Sequence, residues 1–201
     1  MKVLELFAGS RSIGKAAEEL GYEVFSTDIE PYPGIDYVVD FMDFDLRKLP
    51  WVPDIIWASP PCTSYSIAAV SHHREGQYPM SELAVKSDQM VLQLLRLIKF
   101  VKPKYWFIEN PRGMLRKMHF MEDLNRSTVT YCQYGDNRMK PTDIWHNSEW
   151  QPRAMCKNGD SCHQSAPRGS RTGTQGRAND YERSKIPHKL CLEVLRSCVG
   201  R

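Results

Sequence analysis

Cys62 and Glu109 are the two residues whose types and surroundings best suit covalent chemistry. Cys62 ends the segment SPPC at residues 59–62, and Glu109 stands in FIENP at residues 107–111. A single cysteine is most often a small buried hydrophobe, but two stiffening prolines and the polar residues that follow favour a positioned nucleophilic thiol. A glutamate partly shielded from water would have a raised pKa, as a proton donor to a ring nitrogen requires.

The segment LELFAG at residues 4–9 suits the binding of a nucleotide-like ligand. Small residues after a buried strand let a ligand approach the backbone where the next helix begins. Gly9 is followed by Ser10 and Arg11, which is not the three-glycine dinucleotide fingerprint, so NAD and FAD are disfavoured. A lone turn of this kind is weak evidence for any one ligand.

Two acidic residues, Asp28 and Asp40, stand where the second and third predicted strands should end. A carboxylate at the tip of the second strand is placed to accept from ribose hydroxyls, and one at the next tip to accept from an adenine amino group. Either residue alone is more often a solvated loop carboxylate. Together with the turn after the first strand, they favour an adenosine-containing cofactor without a pyrophosphate, of which S-adenosylmethionine is the common candidate.

Short β-rich runs alternate with helical patterns through the first 130 residues. This alternation predicts a doubly wound, mostly parallel α/β sheet of six or seven strands with helices on its faces. The predicted strands are Val3–Phe7, Glu23–Thr27, Tyr37–Phe41, Asp54–Ala58, Tyr105–Ile108 and Ser127–Tyr131. Open sheets of this class place their chemistry at the carboxyl ends of the strands, where Cys62 and Glu109 are expected to meet.

Helical patterns separate and follow these strands. Apolar residues at helical spacing from Ile13 to Leu20 predict a helix that ends near Gly21. A longer helix is predicted after Ser81 as its N-cap, and its apolar stripe is interpreted as core. A last helix is predicted at about residues 187–198, after a stretch at 151–180 without apolar periodicity.

Formal charge is +3, from 27 basic and 24 acidic side chains, but its distribution is uneven. Residues 1–60 hold 5 Lys and Arg against 11 Asp and Glu, whereas residues 151–189 hold 8 against 3. A basic carboxy-terminal third is what a polyanion-binding surface needs, and a solvated loop is the alternative interpretation.

The length of 201 residues predicts one or two domains and is enough to bury a core. No stretch of the sequence approaches the roughly 20 consecutive apolar residues of a membrane span, and Glu5 stands where a signal peptide would be apolar. The six cysteines therefore predict thiols, a metal site or a nucleophile and not a disulfide framework. We expect a cytoplasmic protein without membrane association or an obligate protein partner.

The ordered set LFAG at 6–9, SPPC at 59–62 and ENP at 109–111 resembles the cytosine-C5 DNA methyltransferase family. The resemblance covers about residues 1–146 and the last helix. Amino-methylating enzymes usually carry an aromatic residue in the place of Cys62, so carbon methylation is favoured. The resemblance implies a Rossmann-like fold, S-adenosylmethionine as cofactor and double-stranded DNA as partner. The small size resembles phage or prophage members, which implies the cytoplasm of a bacterium or of a phage-infected host.

The family's reaction assigns roles to both candidate residues. Cys62 would attack C6 of a flipped cytosine as thiolate, while Glu109 would bind the N3 and amino edge and assist protonation. Loss of the C5 proton and expulsion of Cys62 would then restore the methylated ring. Asn110 is expected to brace the loop before Cys62. The cofactor contacts implied by the resemblance are Phe7, Ala8, Gly9, Ser10, Asp28, Ile29, Asp40, Phe41, Pro60 and Ser184.

Residues 133–140 resemble the family's next motif, in which a strand bearing Gln and Arg contacts the target base and its phosphates. The resemblance implies DNA contacts for Gln133 and Lys140 and a catalytic role for Arg138. Arg138 is preferred because a lysine stands where a second arginine is common. A surface β-hairpin with ordinary charges is the alternative. Ser184 resembles a serine that packs beside the methionine part of the cofactor.

The chief departure from the family is size. Members usually insert a recognition domain of on the order of a hundred residues, whereas the 36 residues from 147 to 182 are few for an independent domain. Arg168, Arg171 and Arg177 alternate with glycines there, which suits phosphate and groove contacts, and a basic linker is the alternative. The predicted division is a catalytic domain (1–146), a basic recognition segment (147–182) and a returning C-terminal segment (183–201).

No metal is assigned to the reaction, but Cys156, Cys162 and His163 offer a structural zinc site as an alternative interpretation of the insertion. Such a site would fold a segment too small to have its own core. The x5 spacing lacks the usual C-x2-4-C form, and a fourth ligand, Cys132 or His146, would have to come from elsewhere. Loop thiols and a DNA-contacting histidine are the competing interpretation.

Two rival functions stay open beside the predicted methylation of cytosine C5 in DNA. One is a binding module that keeps the cofactor pocket and the basic surface with little or no catalysis. The presence of both Cys62 and Glu109 argues against this module. The other rival is an RNA cytosine methyltransferase, because related proteins act on transfer RNA.

Overall fold

The sheet determines where the candidate residues meet. The computed structural model describes residues 1–164 and 180–199. Within these residues, a seven-stranded sheet has the order β3-β2-β1-β4-β7-β9-β8, and a two-stranded hairpin, β5-β6, stands apart. The strands are β1 (Lys2–Leu6), β2 (Glu23–Asp28), β3 (Tyr37–Val38), β4 (Ile55–Ala58), β5 (Arg74–Glu75), β6 (Tyr78–Pro79), β7 (Tyr105–Pro111), β8 (Arg126–Thr130) and β9 (Pro141–His146). The strands from β3 to β7 in the sheet order pair in parallel, while β9 is antiparallel to both neighbours. The predicted mostly parallel α/β sheet is confirmed.

Helices connect and cover the strands. The α-helices are α1 (Ser12–Glu19), α2 (Val70–His73), α3 (Glu82–Val101), α4 (Asp180–Ser184) and α5 (His188–Ser197). Short 3-10 helices lie at Phe41–Asp43, Leu46–Lys48, Thr63–Tyr65, Met114–Lys117, His119–Met121 and Tyr131–Tyr134. The predicted cap of α3 is confirmed, because the Ser81 hydroxyl accepts a hydrogen bond from the Ala84 N–H at 3.2 Å. Among the described helices, none is long and apolar enough to cross a membrane.

The core lies on both faces of the sheet because successive strand residues point in opposite directions. Val3 packs in a cluster with Ile13 of α1 and Leu190 of α5, whereas its neighbour Leu4 packs in a second cluster with Leu94 of α3. The apolar stripe of α3 is therefore core, as the sequence predicts. Helices on both faces leave the carboxyl edge of the parallel strands open for a site.

The strand order reverses direction between β1 and β4, which are neighbours in the centre of the sheet. β2 and β3 extend the sheet on one side of this pair, and β7 extends it on the other. A crevice forms at such a switch point outside the carboxyl ends of the strands, and ligands of open α/β proteins bind there. The turn after β1 and the loop after β4 both border this crevice.

Two predicted strands are wrong in part. Tyr37–Phe41 is strand only to Val38, because the Asp40 carboxylate accepts from the Met42 N–H and begins a 3-10 helix. The segment around Gln133 is not a strand either: Tyr131–Tyr134 forms a 3-10 helix, and the strand of this region is β9. Gly135 ends that helix at a φ of 89°, in the left-handed region that glycine adopts without strain.

Candidate active site

A cavity of about 660 Å³ lies at the carboxyl ends of β1, β4 and β7. This volume is within the range of roughly 300–1,000 Å³ found for small-molecule sites. The turn after β1, the loop after β4 and the C-terminal segment before α5 form its wall. The predicted site residues in this wall are Phe7, Ala8, Ser10, Pro60, Cys62, Glu109, Lys140 and Ser184. The cavity therefore joins the predicted cofactor turn to the predicted nucleophile and proton donor.

The turn after β1 depends on a glycine in a tight place. Gly9 has a φ of 49°, and its N–H donates to the Asp28 carboxylate at 2.8 Å. A Cβ added at Gly9 would lie 3.3 Å from the Ser184 hydroxyl oxygen. The C-terminal segment thus packs against the turn, and the Ser12 hydroxyl accepts a further hydrogen bond from the Ile186 N–H. Segments 174 residues apart in sequence build one wall.

Five predicted cofactor residues lie outside the cavity wall: Gly9, Asp28, Ile29, Asp40 and Phe41. Asp28 holds the turn after β1 in place, since its two carboxylate oxygens accept hydrogen bonds from the N–H groups of Gly9 and Glu30. Asp40 is paired with Lys86 at 2.8 Å, and this hydrogen bond lowers the pKa of the Asp40 carboxyl. Contact of the Asp40 carboxylate with an adenine amino group is therefore not supported by this geometry.

Replacing Asp28 by alanine should weaken the binding of S-adenosylmethionine by about 1–3 kcal/mol, because the Gly9 N–H loses its charged acceptor. Isothermal titration calorimetry with S-adenosylmethionine measures this loss. Asp40→Ala is the comparison, and a smaller loss is expected because Asp40 pairs with Lys86 and not with the turn. Equal affinity in the Asp28 variant and the unaltered protein would contradict the role given to Asp28.

Glu5 is a buried acid in the cavity wall that the sequence reasoning did not place in the site. Its carboxylate accepts from the Ile13 N–H at 3.0 Å and from the Ser26 hydroxyl at 2.9 Å. A Cβ added at Gly14 would lie 2.7 Å from the carboxylate, so any larger residue there would have to displace the Glu5 side chain. Burial raises the pKa of Glu5 to about 7, although these hydrogen bonds oppose the shift. A charged residue inside an apolar strand, just before a helix begins, is the sequence signal that was available.

Glu5→Gln should change how stability depends on pH. Because the pKa of Glu5 is 4.5 in an ordinary environment and about 7 when folded, the folded state binds the proton more tightly. The unaltered protein should lose on the order of 3 kcal/mol of unfolding free energy through this group as pH rises from below 4.5 to above 7. Urea unfolding at both ends of this range should show a smaller loss for Glu5→Gln. Glu23→Gln, at an exposed position of β2, should behave as the unaltered protein. Parallel pH profiles for all three would contradict the assignment.

Cys62 lies half-buried at the start of the 3-10 helix Thr63–Tyr65, directly after the loop that ends β4. The side-chain NH₂ of Asn110 donates to the Pro60 carbonyl at 2.9 Å. Asn110 therefore braces the loop before Cys62, as predicted. This contact joins the loop after β4 to β7, the strand that carries Glu109.

A buried ion pair holds the other side of the Cys62 loop. The Arg74 guanidinium pairs with Asp88 of α3 at 2.6 Å and donates to the Ser64 carbonyl at 3.0 Å. It also stacks 4.4 Å above the Tyr65 ring, and the Tyr65 hydroxyl donates to Asp88. Removing one partner of such a pair would leave the other charge buried without compensation, so a substitution of either residue should destabilise the loop. The sequence reasoning did not single out Arg74 or Asp88, and no local pattern marks them.

Glu109 is 5% exposed and accepts a hydrogen bond from the Tyr131 hydroxyl at 2.9 Å. Burial raises the pKa of Tyr131 well above its ordinary value, so the hydroxyl stays a donor. Lys140 is buried in the same wall, and its ammonium lies 4.9 Å above the Tyr131 ring and donates to the Arg183 carbonyl. Burial lowers the pKa of Lys140, while the charges of Glu109 and Cys62 act in the opposite direction.

Arg138 has a different position from the one predicted. Its guanidinium pairs with Asp136 at 2.5 Å and donates to the Lys185 carbonyl at 3.1 Å. Only 4% of Arg138 is exposed, and it lies outside the cavity wall. Arg138 therefore holds the C-terminal segment, and the basic residues that line the cavity are Lys140 and Arg183. The catalytic role predicted for Arg138 is not supported by this placement.

The predicted DNA-binding residues are only partly described. Gln133 lies outside the cavity wall, and its side-chain NH₂ is 3.5 Å from the Cys162 sulfur. Lys140 lines the cavity. Arg168, Arg171 and Arg177 lie outside the described residues.

Comparison with known proteins shows relatives of two sizes. A protein of Frog virus 3 (isolate Goorha), named "Probable DNA (cytosine-5)-methyltransferase", is 29% identical over 98% of this chain and 100% of its own length. The "Type II methyltransferase M.Bsp6I" of Bacillus sp. (strain RFL6) is 29% identical over 57% of this chain but only 37% of its own length. The chain thus spans the whole viral relative and well under half of the bacterial one.

A solved structure supports the fold independently. The Entamoeba histolytica methyltransferase EhMeth superposes with a TM-score of 0.57 at 14% identity, over 78% of this chain and 57% of that chain. At this identity the likeness concerns the fold alone. Residues 1–128, well over half of the chain, match the family described as C-5 cytosine-specific DNA methylase, and the chain belongs to that family.

Proposed function

We propose that this protein transfers a methyl group from S-adenosylmethionine to C5 of cytosine in double-stranded DNA. The observation that carries the proposal is that Cys62 and Glu109 share one cavity with the turn after β1. That arrangement allows one side of the cavity to hold a cofactor and the other a base. Membership of the family and the name of the viral relative support the same reaction.

The wall fits an adenosine-containing sulfonium cofactor. Phe7, Ala8 and Ser10 offer a ring, a small side chain and backbone groups beside the beginning of α1, and Ser184 closes the wall opposite Gly9. When bound, S-adenosylmethionine supplies an electrophilic methyl group. Cys62 lines the same cavity from a different element, the loop after β4, so base and cofactor can have separate contacts.

The reaction uses Cys62 and Glu109 on the ring of a flipped base, because C6 and C5 are shielded inside a duplex. The Cys62 thiolate adds to C6 and forms a C–S bond, and the displaced electron pair makes C5 nucleophilic. Glu109 holds the N3 and amino edge and donates a proton to N3 as negative charge develops there. Once C5 is methylated, its proton passes to solvent water, and the electron pair left behind forms the C5–C6 double bond as the C–S bond breaks to release Cys62 as thiolate. The N3 proton returns to Glu109, so the methylated ring and the side chain are both restored.

Lys140 supports this chemistry through its charge. Its ammonium interacts electrostatically with both Glu109 and Cys62. Lys140 is buried, and a buried cation acts more strongly on nearby charge than one at the surface. We assign to Lys140 the catalytic role that the family resemblance implied for Arg138.

Nucleoside analysis tests the proposal. Duplex DNA and transfer RNA are incubated in parallel with the protein and S-adenosylmethionine, then digested, and the nucleosides are identified by mass spectrometry. We expect 5-methyl-2′-deoxycytidine from the DNA. Methylated cytidine from the RNA alone would favour the RNA methyltransferase. DNA binding without methylation of either substrate would favour the non-catalytic module.

The three arginines of the basic segment should contribute phosphate contacts. If Arg168, Arg171 and Arg177 each neutralise a phosphate, the slope of log affinity against log salt should fall by about 0.9 for each phosphate that the variant no longer neutralises. Fluorescence anisotropy with labelled duplex DNA, over a salt series, compares the triple alanine variant with the unaltered protein. S-adenosylmethionine affinity serves as the control and should not change. Unaltered DNA affinity and slope would mean that this segment does not bind phosphate.

The division at residues 146 and 182 and the cytoplasmic location stay predictions. The basic segment between these residues is proposed to bind DNA because of its arginine and glycine composition. Its small size favours short or loose sequence selectivity.

A further inference from the structure

Four metal-binding side chains meet beside the 3-10 helix Tyr131–Tyr134, outside the cavity. Cys132 comes from that helix, and Cys156, Cys162 and His163 come from the segment after β9. One ligand atom from each of the four lies within 4.8 Å of all the others. His146, the other residue considered as a fourth ligand, is not part of this group, because its two ring nitrogens form hydrogen bonds with Ser127 and Ser148.

The distances between these atoms fit a tetrahedral ion. Zinc lies about 2.3 Å from a sulfur ligand and about 2.0–2.1 Å from a nitrogen ligand. In a tetrahedral site, two sulfur ligands are therefore about 3.8 Å apart, and a sulfur and a nitrogen ligand are about 3.6 Å apart. The Cys162–Cys132 sulfurs are 3.6 Å apart, and His163 Nδ1 lies 3.7 Å from the Cys156 sulfur and 3.5 Å from the Cys162 sulfur. The Cys132–Cys156 sulfur pair is closer, at 3.1 Å, yet well beyond the roughly 2.05 Å of a disulfide.

The surroundings indicate a site and not a chance meeting of thiols. Cys132 and Cys156 are buried. The Cys156 N–H donates to the Thr130 hydroxyl at 3.1 Å, and the Gln133 side-chain NH₂ lies 3.5 Å from the Cys162 sulfur. Such outer contacts orient metal ligands in known sites.

We propose that Cys132, Cys156, Cys162 and His163 bind a structural Zn²⁺ ion. Three cysteines and one histidine fill all four positions of a tetrahedral zinc ion, so no position is left for a substrate or a water. The ion would attach the segment after β9 to the helix that carries Tyr131, which donates to Glu109. The zinc site therefore joins the start of the basic segment to the active-site wall.

Metal analysis of the purified full-length protein tests the site. Protein produced in zinc-supplemented medium and purified under reducing conditions should contain about one zinc ion per chain by plasma mass spectrometry. Blocking the thiols with an organomercurial should release it to a chromogenic zinc chelator. Cobalt substitution should give the visible and near-ultraviolet bands of tetrahedral cobalt–thiolate coordination. These readouts need no methyl-transfer assay, so failure of the zinc site and failure of the proposed function are distinguishable.

Substitutions locate the ion. Cys162→Ser should lose most of the zinc, and because Cys162 is exposed, the change removes no core side chain. His163→Ala should lose zinc, whereas His163→Cys should keep it through four cysteines. Cys198→Ser, at a buried cysteine of the α1 and α5 face, is the matched control and should keep about one ion per chain.

Three results would overturn the proposal. The first is zinc-free protein from the supplemented culture that also gives no cobalt–thiolate bands. The second is a Cys162→Ser variant that contains as much zinc as the unaltered chain and that circular dichroism shows to be equally well folded. The third is a zinc-free chain in which non-reducing digestion finds Cys132 and Cys156 linked as a disulfide.

Discussion

Cys62→Ala should lower methyl transfer to duplex DNA by about three orders of magnitude or more, because the variant lacks the atom that bonds to C6. The affinity for S-adenosylmethionine should stay nearly unchanged, since the thiol faces the base. Transfer of labelled methyl groups to DNA measures the first quantity, and calorimetry measures the second. Cys198→Ser, which changes a cysteine remote from the cavity, should keep the activity of the unaltered protein.

A trapping experiment makes this prediction specific to the covalent step. Duplex DNA with fluorine at C5 of the target cytosine has no C5 proton to lose, so the C–S bond cannot break after methylation. The unaltered protein should form a complex with this DNA that survives denaturing electrophoresis, and Cys62→Ala should form none. Turnover by Cys62→Ala at the rate of the unaltered protein would contradict the C5 mechanism.

Glu109→Gln should lower kcat by about a hundredfold to ten-thousandfold, the range for loss of a general acid. Glutamine keeps the size of the side chain and a carbonyl that accepts from the Tyr131 hydroxyl, but it has no acidic proton to donate. Single-turnover kinetics with saturating duplex DNA and S-adenosylmethionine measure the methyl-transfer rate. Cofactor affinity should change little.

Tyr131→Phe is the companion variant, because Tyr131 touches Glu109 and positions it. Loss of this hydrogen bond should cost about tenfold in kcat with little change in KM. In the Glu109→Gln background the same substitution should cost less, because the hydrogen bond then reaches a neutral acceptor. Full activity in Glu109→Gln would show that Glu109 has no catalytic role. Equal effects of Tyr131→Phe in both backgrounds would show that Tyr131 does not act through Glu109.

Local patterns in the sequence determined the parallel strands, the longer helices and the order of the chemical motifs, whereas β9 was not predicted. Alternating β runs and helical stripes depend on neighbours within one or two turns, so they are visible without tertiary contacts. The Ser81 cap and the small-residue turn at Gly9 are local in the same sense. Parallel strands then bring their carboxyl ends to one edge, which is why Cys62 and Glu109 were expected to meet.

The tertiary structure alone decided which partners the polar residues have. Arg138 and Lys140 are two residues apart and both basic, yet Arg138 turns to the C-terminal segment and Lys140 to the cavity. The choice of Cys132 over His146 beside Cys156 likewise depends on residues far apart in the chain.

Burial of single charges was mostly hidden from the sequence. Arg74 and Asp88 look like ordinary charged residues until the chain is folded around them, and Glu5 is marked only by its place inside an apolar strand. The physical reason is that desolvation and hydrogen bonding depend on the groups that surround a side chain in space. Periodicity reports which face of an element is apolar, but it carries no information about which distant polar group will meet a given charge.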